Sequence, residues 1–368
     1  MNNKKIRAVG ALLLVALWLG LTAFAWLRAP DEMSLSERRK LKQFPAITGE
    51  SIMKGEFMTD FESYTLDQFP LRDTFRKLKA FISYNVLDQS DNNGIFFQDG
   101  YAAKVEYPLD EKSVSFALEK FNKIRDRYIK AGGCKIYAAV VPDKSYYLGE
   151  DSGILQMDYE KLFSMMEEGM PWATHIDLTD TLSLEDYYYT DTHWRQEKLI
   201  PAAAKLCQAM GVRQPQAEDY TVTETVKDFY GVYYGQAALP MEPEPLYTMQ
   251  SDLLAGCTVY NHETNTRSKV YDMTKLTAND PYDIYLSGAT ALLTIENPRA
   301  TSNRELVVFR DSFGSSIIPL LVQEYKSVTV VDIRYLSSDY LNQYIRFRGQ
   351  DVLFLYSTLV LNSAFILK

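Results

Sequence analysis

The chain has 368 residues, 46% hydrophobic and 24% charged, a balance that folds around a core and excludes wholesale disorder. A net charge of −9 excludes a protein that works through a basic nucleic-acid-binding face. Three cysteines (Cys134, Cys207 and Cys257), scattered and without C-x-x-C spacing, exclude a disulfide scaffold and a cysteine metal or redox motif. The length suits one large domain or two ordinary ones. The 26 tyrosines offer faces that stack on sugars but also fill cores, and their number does not separate the two uses.

Lys4, Lys5 and Arg7 precede an uncharged run from Ala8 to Leu27. About twenty apolar residues at 1.5 Å each cross a bilayer core of roughly 30 Å. The flanking positive charge keeps the N-terminus cytoplasmic. Ala23-Phe24-Ala25 looks like a signal-peptidase site, but the run is longer than the roughly 7–15 residues of a signal peptide's apolar region. The expectation is an uncleaved signal anchor over residues 1–30, in a single-pass cell-membrane protein whose working domain is extracellular.

Residues 31–92 read as a juxtamembrane linker and a helical segment. The charge run Ser36–Lys40 is solvated. Leu71, Phe75, Leu78, Ile82 and Val86 recur at helical spacing and share one face of a helix opened by Pro70. From residue 93 the pattern becomes α/β. Gly94–Tyr101 holds two short apolar runs around Asp99-Gly100, which predicts a hairpin, because a type I′ turn needs positive φ at both central residues. Val114–Tyr128 is an amphipathic helix ended by Gly132-Gly133. Lys135–Val141 is a buried strand of the parallel type that ends in Pro142-Asp143-Lys144, at the sheet edge where ligands bind in open α/β folds. A helix around Tyr159–Met166, a short strand over Thr174–Leu178 and a helix through Leu199–Met210 follow.

Residues 212–300 read as an inserted or peripheral β-rich segment, with strands near Cys257–Tyr260, Asp283–Leu286 and Ala291–Ile295. Clean alternation then returns. Strands Glu305–Phe309, Ser327–Ile333 and Asp351–Tyr356 alternate with helices Gly314–Tyr325, Ser338–Phe347 and Leu359–Leu367. Such alternation implies right-handed βαβ units and a mostly parallel sheet.

Two stretches carry chemistry. In Tyr189-Thr190-Asp191-Thr192-His193-Trp194, extended residues two apart project to the same side. Asp191 therefore reaches one imidazole nitrogen of His193, fixing its tautomer and steadying the imidazolium. In Arg310-Asp311-Ser312-Phe313, Ser312 follows a buried strand and opens a helix, so its hydroxyl stands at the sheet top beside free N–H groups. Serine there also caps a helix, and alone it needs a base to become a nucleophile. The G-x-S-x-G elbow is absent; Arg310-Asp311-Ser312 is closer to the Gly-Asp-Ser of SGNH hydrolases, with arginine in place of glycine. Ser315 and Ser316 fall inside the predicted helix. Three histidines and no cysteine pair leave too few ligands for a metal site, and no cofactor is expected. His175 reads as structural and His262 as exposed.

Thr190–Trp194 and Arg310–Phe313 resemble the DHHW protein family, which is related to the AlgX/AlgJ-type SGNH-like domains of alginate O-acetylation. The resemblance covers most of the exported chain. It extends to Gln68–Arg72, Asn93–Phe96, Val141–Lys144, Phe229–Gly231 and Val331–Tyr335. Thr192 departs from it, standing where the family name expects a first histidine.

The resemblance implies an SGNH-hydrolase-like three-layer α/β/α domain over 93–368, with a mostly parallel sheet and a permuted triad order. It implies a triad of Ser312, His193 and Asp191, and Arg334, Lys144, Tyr189 and Trp194 are candidates for substrate binding. An ion pair at the surface is the rival role for Arg334. The implied partners are a polysaccharide acceptor, the membrane, and a membrane-bound O-acyltransferase that supplies acyl groups. Three functions stay open: O-acyl transfer through an acyl-serine, hydrolysis of a carbohydrate ester by the same triad, and non-catalytic polysaccharide binding as a scaffold.

Overall fold

The computed structural model describes residues 3–34, 36–149, 153–278 and 280–368. The chain divides into two compact units, residues 1–92 with 234–240, and residues 93–233 with 241–368.

In the first unit, α1 (Asn3–Leu27) contains the segment Lys5–Leu27, whose mean hydropathy of 2.3 makes it long and apolar enough to cross a membrane. After a short helix over Gly49–Met53 come two longer ones, α2 (Glu56–Asp67) and α3 (Arg72–Asn85). Asp67, buried at the end of α2, accepts hydrogen bonds from Arg39 Nη1 and Lys42 N, both at 2.8 Å. The Arg39 hydrogen bond holds its carboxyl below the ordinary range. The apolar stripe predicted for residues 71–86 does share one side of α3, but that side is exposed. The residues α3 buries are the small ones, Ala80 and Ser83.

The second unit is built on an eight-stranded sheet. Its strands are β1 (Lys135–Val141), β2 (Thr174–His175), β3 (Thr258–Asn261), β4 (Thr266–Ser268), β5 (Leu292–Glu296), β6 (Glu305–Arg310), β7 (Ser327–Val331) and β8 (Asp351–Ser357). The spatial order is β4-β3-β5-β7-β6-β8-β1-β2. From β7 to β2 the strands are parallel; β5, β3 and β4 extend the sheet antiparallel. β6 lies in the middle, with Phe309 opposite Val331 on one side and Phe354 on the other.

The long apolar runs of β1, β6 and β8 follow from burial on both faces. Leu306, Val308, Leu353 and Leu355 point into one core with α6 (Ile200–Met210) and α7 (Gly314–Leu321). Val307, Phe309, Val352 and Phe354 point into the other with α4 (Glu111–Ile124) and α5 (Tyr159–Gly169). This is the three-layer α/β/α architecture expected. The predicted hairpin pairs Ile95–Gln98 with Tyr101–Lys104 around Asp99 and Gly100, at φ 51 and 85.

Several expectations are corrected. Asp283–Leu286 is not a strand: Pro281–Ile284 is a 3-10 turn in which Tyr282 and Ile284 are buried, and Leu286 and Ser287 have positive φ. Pro281 sets the first turn, and the run pairs with 270–272 only through the single antiparallel bridge Tyr271–Tyr285. The helix from Gly314 stops at Leu321, with Pro319 inside it. Ser338–Phe347 is a short 3-10 segment, Ser338–Gln343. The final helix shrinks to Thr358–Leu361, after which Ala364–Ile366 forms a further 3-10 turn. The strand expected over Thr174–Leu178 is two residues long. In the 212–300 stretch β3, β4 and β5 join the main sheet, while Thr221–Phe229 and Glu244–Gln250 form a separate antiparallel ribbon. His262, expected exposed, is half-buried, with Nε2 2.9 Å from Thr294 Oγ1.

Candidate active site

The turn after β6 is held from beneath. Asp311 is wholly buried. One of its oxygens accepts from Phe313 N at 3.0 Å, and the other from Ser357 N at 2.7 Å and Ser357 Oγ at 2.6 Å. The carboxylate thereby ties the Ser312 turn to the end of β8. Gly314 lets α7 start directly over the strand, because a Cβ there would lie 2.7 Å from Arg310 Cβ. Arg310 itself is wholly buried. It donates to Asp311 O at 3.2 Å and Gly288 O at 3.0 Å, and stands 3.6 Å from Asp332. Burial pulls its guanidinium below the ordinary value, against the charge of Asp332.

The second stretch is a tight hairpin. Tyr187 bridges Trp194, and Tyr188 N donates to His193 O at 3.1 Å. Glu244 pins the tip: it accepts from Tyr189 N at 2.9 Å, and from Thr190 N and Thr190 Oγ1 at 2.8 Å each. Burial pushes its carboxyl up, against those hydrogen bonds. Gly231 N donates to Thr190 Oγ1 and Val232 N to Asp191 Oδ2, both at 2.8 Å. A Cβ on Gly231 would fall 2.3 Å from Asp191 Cα, so the approach requires glycine. This accounts for the glycine of Phe229-Tyr230-Gly231. Thr192 is held by Tyr233, whose hydroxyl donates to Thr192 Oγ1 at 2.9 Å.

These two stretches meet. His193 Nδ1 lies 2.6 Å from Asp191 Oδ1, and Nε2 lies 2.8 Å from Ser312 Oγ. A carboxylate only accepts, so Nδ1 carries the imidazole proton and Nε2 is free to accept from the serine hydroxyl. The imidazole stacks on Tyr282 at 3.9 Å with an 8° interplanar angle, and Phe313 closes the other approach at 4.9 Å. Tyr282 OH lies 2.8 Å from Ser316 Oγ, which also accepts from Trp194 Nε1 at 2.9 Å. Ser312 is partly exposed, whereas Asp191 and His193 are buried.

The four candidates for substrate binding separate. Tyr189 is 41% exposed, its ring 4.5 Å from that of Tyr101. Arg334 is clamped on Asp332 through Nε at 2.9 Å and Nη2 at 2.6 Å, and keeps a partly open side chain. Trp194 and Lys144 are buried, and burial leaves their side chains no face for a substrate. Trp194 braces Ser316. Lys144 Nζ donates to Tyr188 O at 2.6 Å, between the rings of Tyr101 at 5.8 Å and Tyr233 at 5.2 Å. Burial pulls this amine down to about 7, against the charges of Asp191, Glu244 and Asp143.

Sequence reasoning missed Glu244, Tyr282 and Asp311. Glu244 lies between Pro243 and Pro245, an unusual setting for an acid and the one available hint. Tyr282 is one tyrosine among 26. Among the described residues no cluster of His, Cys, Asp and Glu is suited to a metal ion.

The model of the DHHW protein family matches residues 163–331. A solved DHHW family protein from Eubacterium siraeum superposes with a TM-score of 0.56 at 19% identity, over 74% of this chain and 93% of that one. Bacillus cereus PatB1 superposes with a TM-score of 0.60 at 19% identity, over 73% of this chain and 96% of that one; it has also been solved with a sulfonyl adduct. No curated protein matches the chain. At these identities the superpositions speak for a shared fold. Residues 163–331 thus match the DHHW protein family, and the resemblance read from Thr190–Trp194 and Arg310–Phe313 holds.

Proposed function

We propose that this chain is a membrane-anchored, extracytoplasmic serine O-acyltransferase, which passes an acyl group, acetyl by the family resemblance, to a hydroxyl of a cell-envelope or secreted polysaccharide. One observation carries the reading: the unbroken line Asp191–His193–Ser312, with contacts of 2.6 and 2.8 Å. His193 Nε2 takes the Ser312 proton as Oγ attacks the donor carbonyl. The backbone N–H of Ser312, at the positive end of α7, faces the developing oxyanion. The imidazolium gives its proton to the leaving group, and an acyl-serine remains. A sugar hydroxyl then loses its proton to His193, attacks the ester carbonyl and leaves as the new ester, while Ser312 recovers its proton. Tyr189 and Arg334, the two candidates whose side chains are not buried, are the residues this reading gives to the acceptor. A membrane-bound O-acyltransferase supplies the acyl group, and α1 holds the domain at the outer face.

Exchange of Ser312→Ala in the native host, with measurement of acetyl groups on the envelope polysaccharide, tests the reading. Lower acetylation supports transfer. Higher acetylation means that water is the acceptor and the chain is an esterase. Unchanged acetylation, with the variant protein present at the wild-type level, reduces it to a scaffold.

A further inference from the structure

The outer face of α3 has no part in acyl transfer. Leu71, Phe75, Leu78, Ile82 and Val86 are 64, 44, 50, 39 and 65% exposed, and their spacing stacks them in one stripe. Phe81, at 55%, widens it. A helix on an aqueous surface turns its large apolar side chains inward, and a patch of this kind marks a binding face.

What covers it follows from the same unit. The stripe joins α1 through aromatic contacts: the Phe75 and Phe69 rings lie 5.4 Å apart, and Phe69 and Trp18 6.5 Å. Trp18 lies about 14 Å along the axis from Leu27. The stretch of α1 ahead of this contact, from Ile6, reaches only about 18 Å by the same rise, short of the roughly 30 Å a bilayer core demands. Once α1 crosses, the flank that bears Phe69 and α3 enters the outer leaflet with it. A cavity of about 180 Å³ between Trp18, Leu21 and Trp26 of α1 and Phe61, Tyr64 and Phe69 offers an apolar niche for part of an acyl chain.

Charge agrees. Arg72 and Arg76 of α3 turn to Glu37, at 2.5 and 3.4 Å, so Lys77 and Lys79 are its outward cations, in a chain of net charge −9. Lys77 and Lys79 are exposed on either side of the stripe, and their long stems carry the ammonium groups up to lipid phosphates.

We infer that α3 is a second membrane element, an amphipathic helix that seats Leu71, Phe75, Leu78, Ile82 and Val86 in outer-leaflet lipid and sets its basic flanks on anionic headgroups. This rests on the reading of α1 as a membrane anchor.

The test uses the full chain in vesicles of phosphatidylcholine and phosphatidylglycerol. An environment-sensitive fluorophore is placed at Leu78→Cys, at Ile82→Cys or, as a control, at the exposed position Lys112→Cys. Cys134, the half-buried native thiol, is first replaced by serine. Doxyl-labelled lipid is expected to quench the probes at 78 and 82 severalfold and to leave the probe at 112 unchanged. Leu78→Glu placed beside the probe at 82 is expected to remove that quenching. A chain that floats with the vesicles while the probes at 78 and 82 behave like the one at 112 overturns the inference, and assigns the face to a protein partner or a second copy. A chain that does not float with vesicles at all overturns the anchor reading itself, and the inference with it.

Discussion

The two units treat burial in opposite ways. Around the triad, four of the buried carboxylates each accept at least three hydrogen bonds: Asp143 from Thr358 Oγ1, Tyr159 OH and Ser145 N, Asp191 from His193 N, His193 Nδ1 and Val232 N, and Glu244 and Asp311 from the partners described above. In α3 of the N-terminal unit, small residues are buried and large apolar ones stay outside. Buried charge is costly unless every lone pair is answered, so the first pattern fixes atoms in place. Exposed apolar area is costly in water, so the second pattern fits a solvent that is not water. One region is shaped by the position of a few groups, the other by its surroundings.

The sharpest way to break the first pattern is Asp191→Asn. The amide places an N–H donor or a weaker acceptor against His193 Nδ1, and the wrong tautomer follows. The rate of 4-nitrophenyl acetate cleavage by the purified chain is expected to fall about 10⁴-fold. A fall of less than about tenfold would mean that Asp191 serves the hairpin rather than the imidazole.

The next effect contrasts two leucines. Leu206, wholly buried on α6, is expected to cost about 2–5 kcal/mol when changed to Ala. Leu78→Ala, in detergent micelles, is expected to stay within about 0.5 kcal/mol, as for a surface site. Denaturant unfolding of each unit, followed by hydrogen exchange, reads both. A large cost at Leu78 would show that α3 packs on protein.

Gly231→Ala is a smaller but more local disturbance. The added methyl meets the Asp191 backbone at 2.3 Å, which cannot swing away as a flexible side chain can. Displacement of the carboxylate by about an ångström is expected to lower the rate about 10²-fold. The variant should remain folded. If the rate is unchanged, the 229–232 segment does not position Asp191.

Much of this was legible in the sequence. β1, β6, β7 and β8 showed as apolar runs because strands covered on both faces lose the polar alternation that would blur them. Asp191 and His193 showed as a local pair, and Ser312 as a residue between strand and helix, because short-range geometry places each. The segments that misled are those where tertiary contact overrides local preference. Asp283–Leu286 has the composition of a strand, but Tyr282 just before it stacks on His193, and Tyr285 joins the aromatic cluster around Tyr188. Ser338–Phe347 has helical spacing at Leu341 and Ile345, both buried, yet it forms only a 3-10 turn. Glu244 and Lys144 acquire their parts from chain segments far away in sequence, and no local pattern encodes that. The stripe of α3 was legible as a face, but which side would be covered was not, since periodicity is the same whether the partner is protein or lipid.

Lys144 gives the smallest effect and the most specific one. Its ammonium faces Asp191, Glu244 and Asp143, with Tyr101 and Tyr233 as walls, and burial holds its folded value at about 7 instead of 10.5. Between these two values the unfolded chain binds more protons than the folded one. The stability of the second unit is therefore expected to rise with pH from about 7 towards 10.5 on this group's account, and to be lost as pH falls through 7. Lys144→Met should flatten that rise. Denaturant unfolding at a series of pH values between about 7 and 10.5 reads the effect, and a slope that survives the substitution would place the titration on another group.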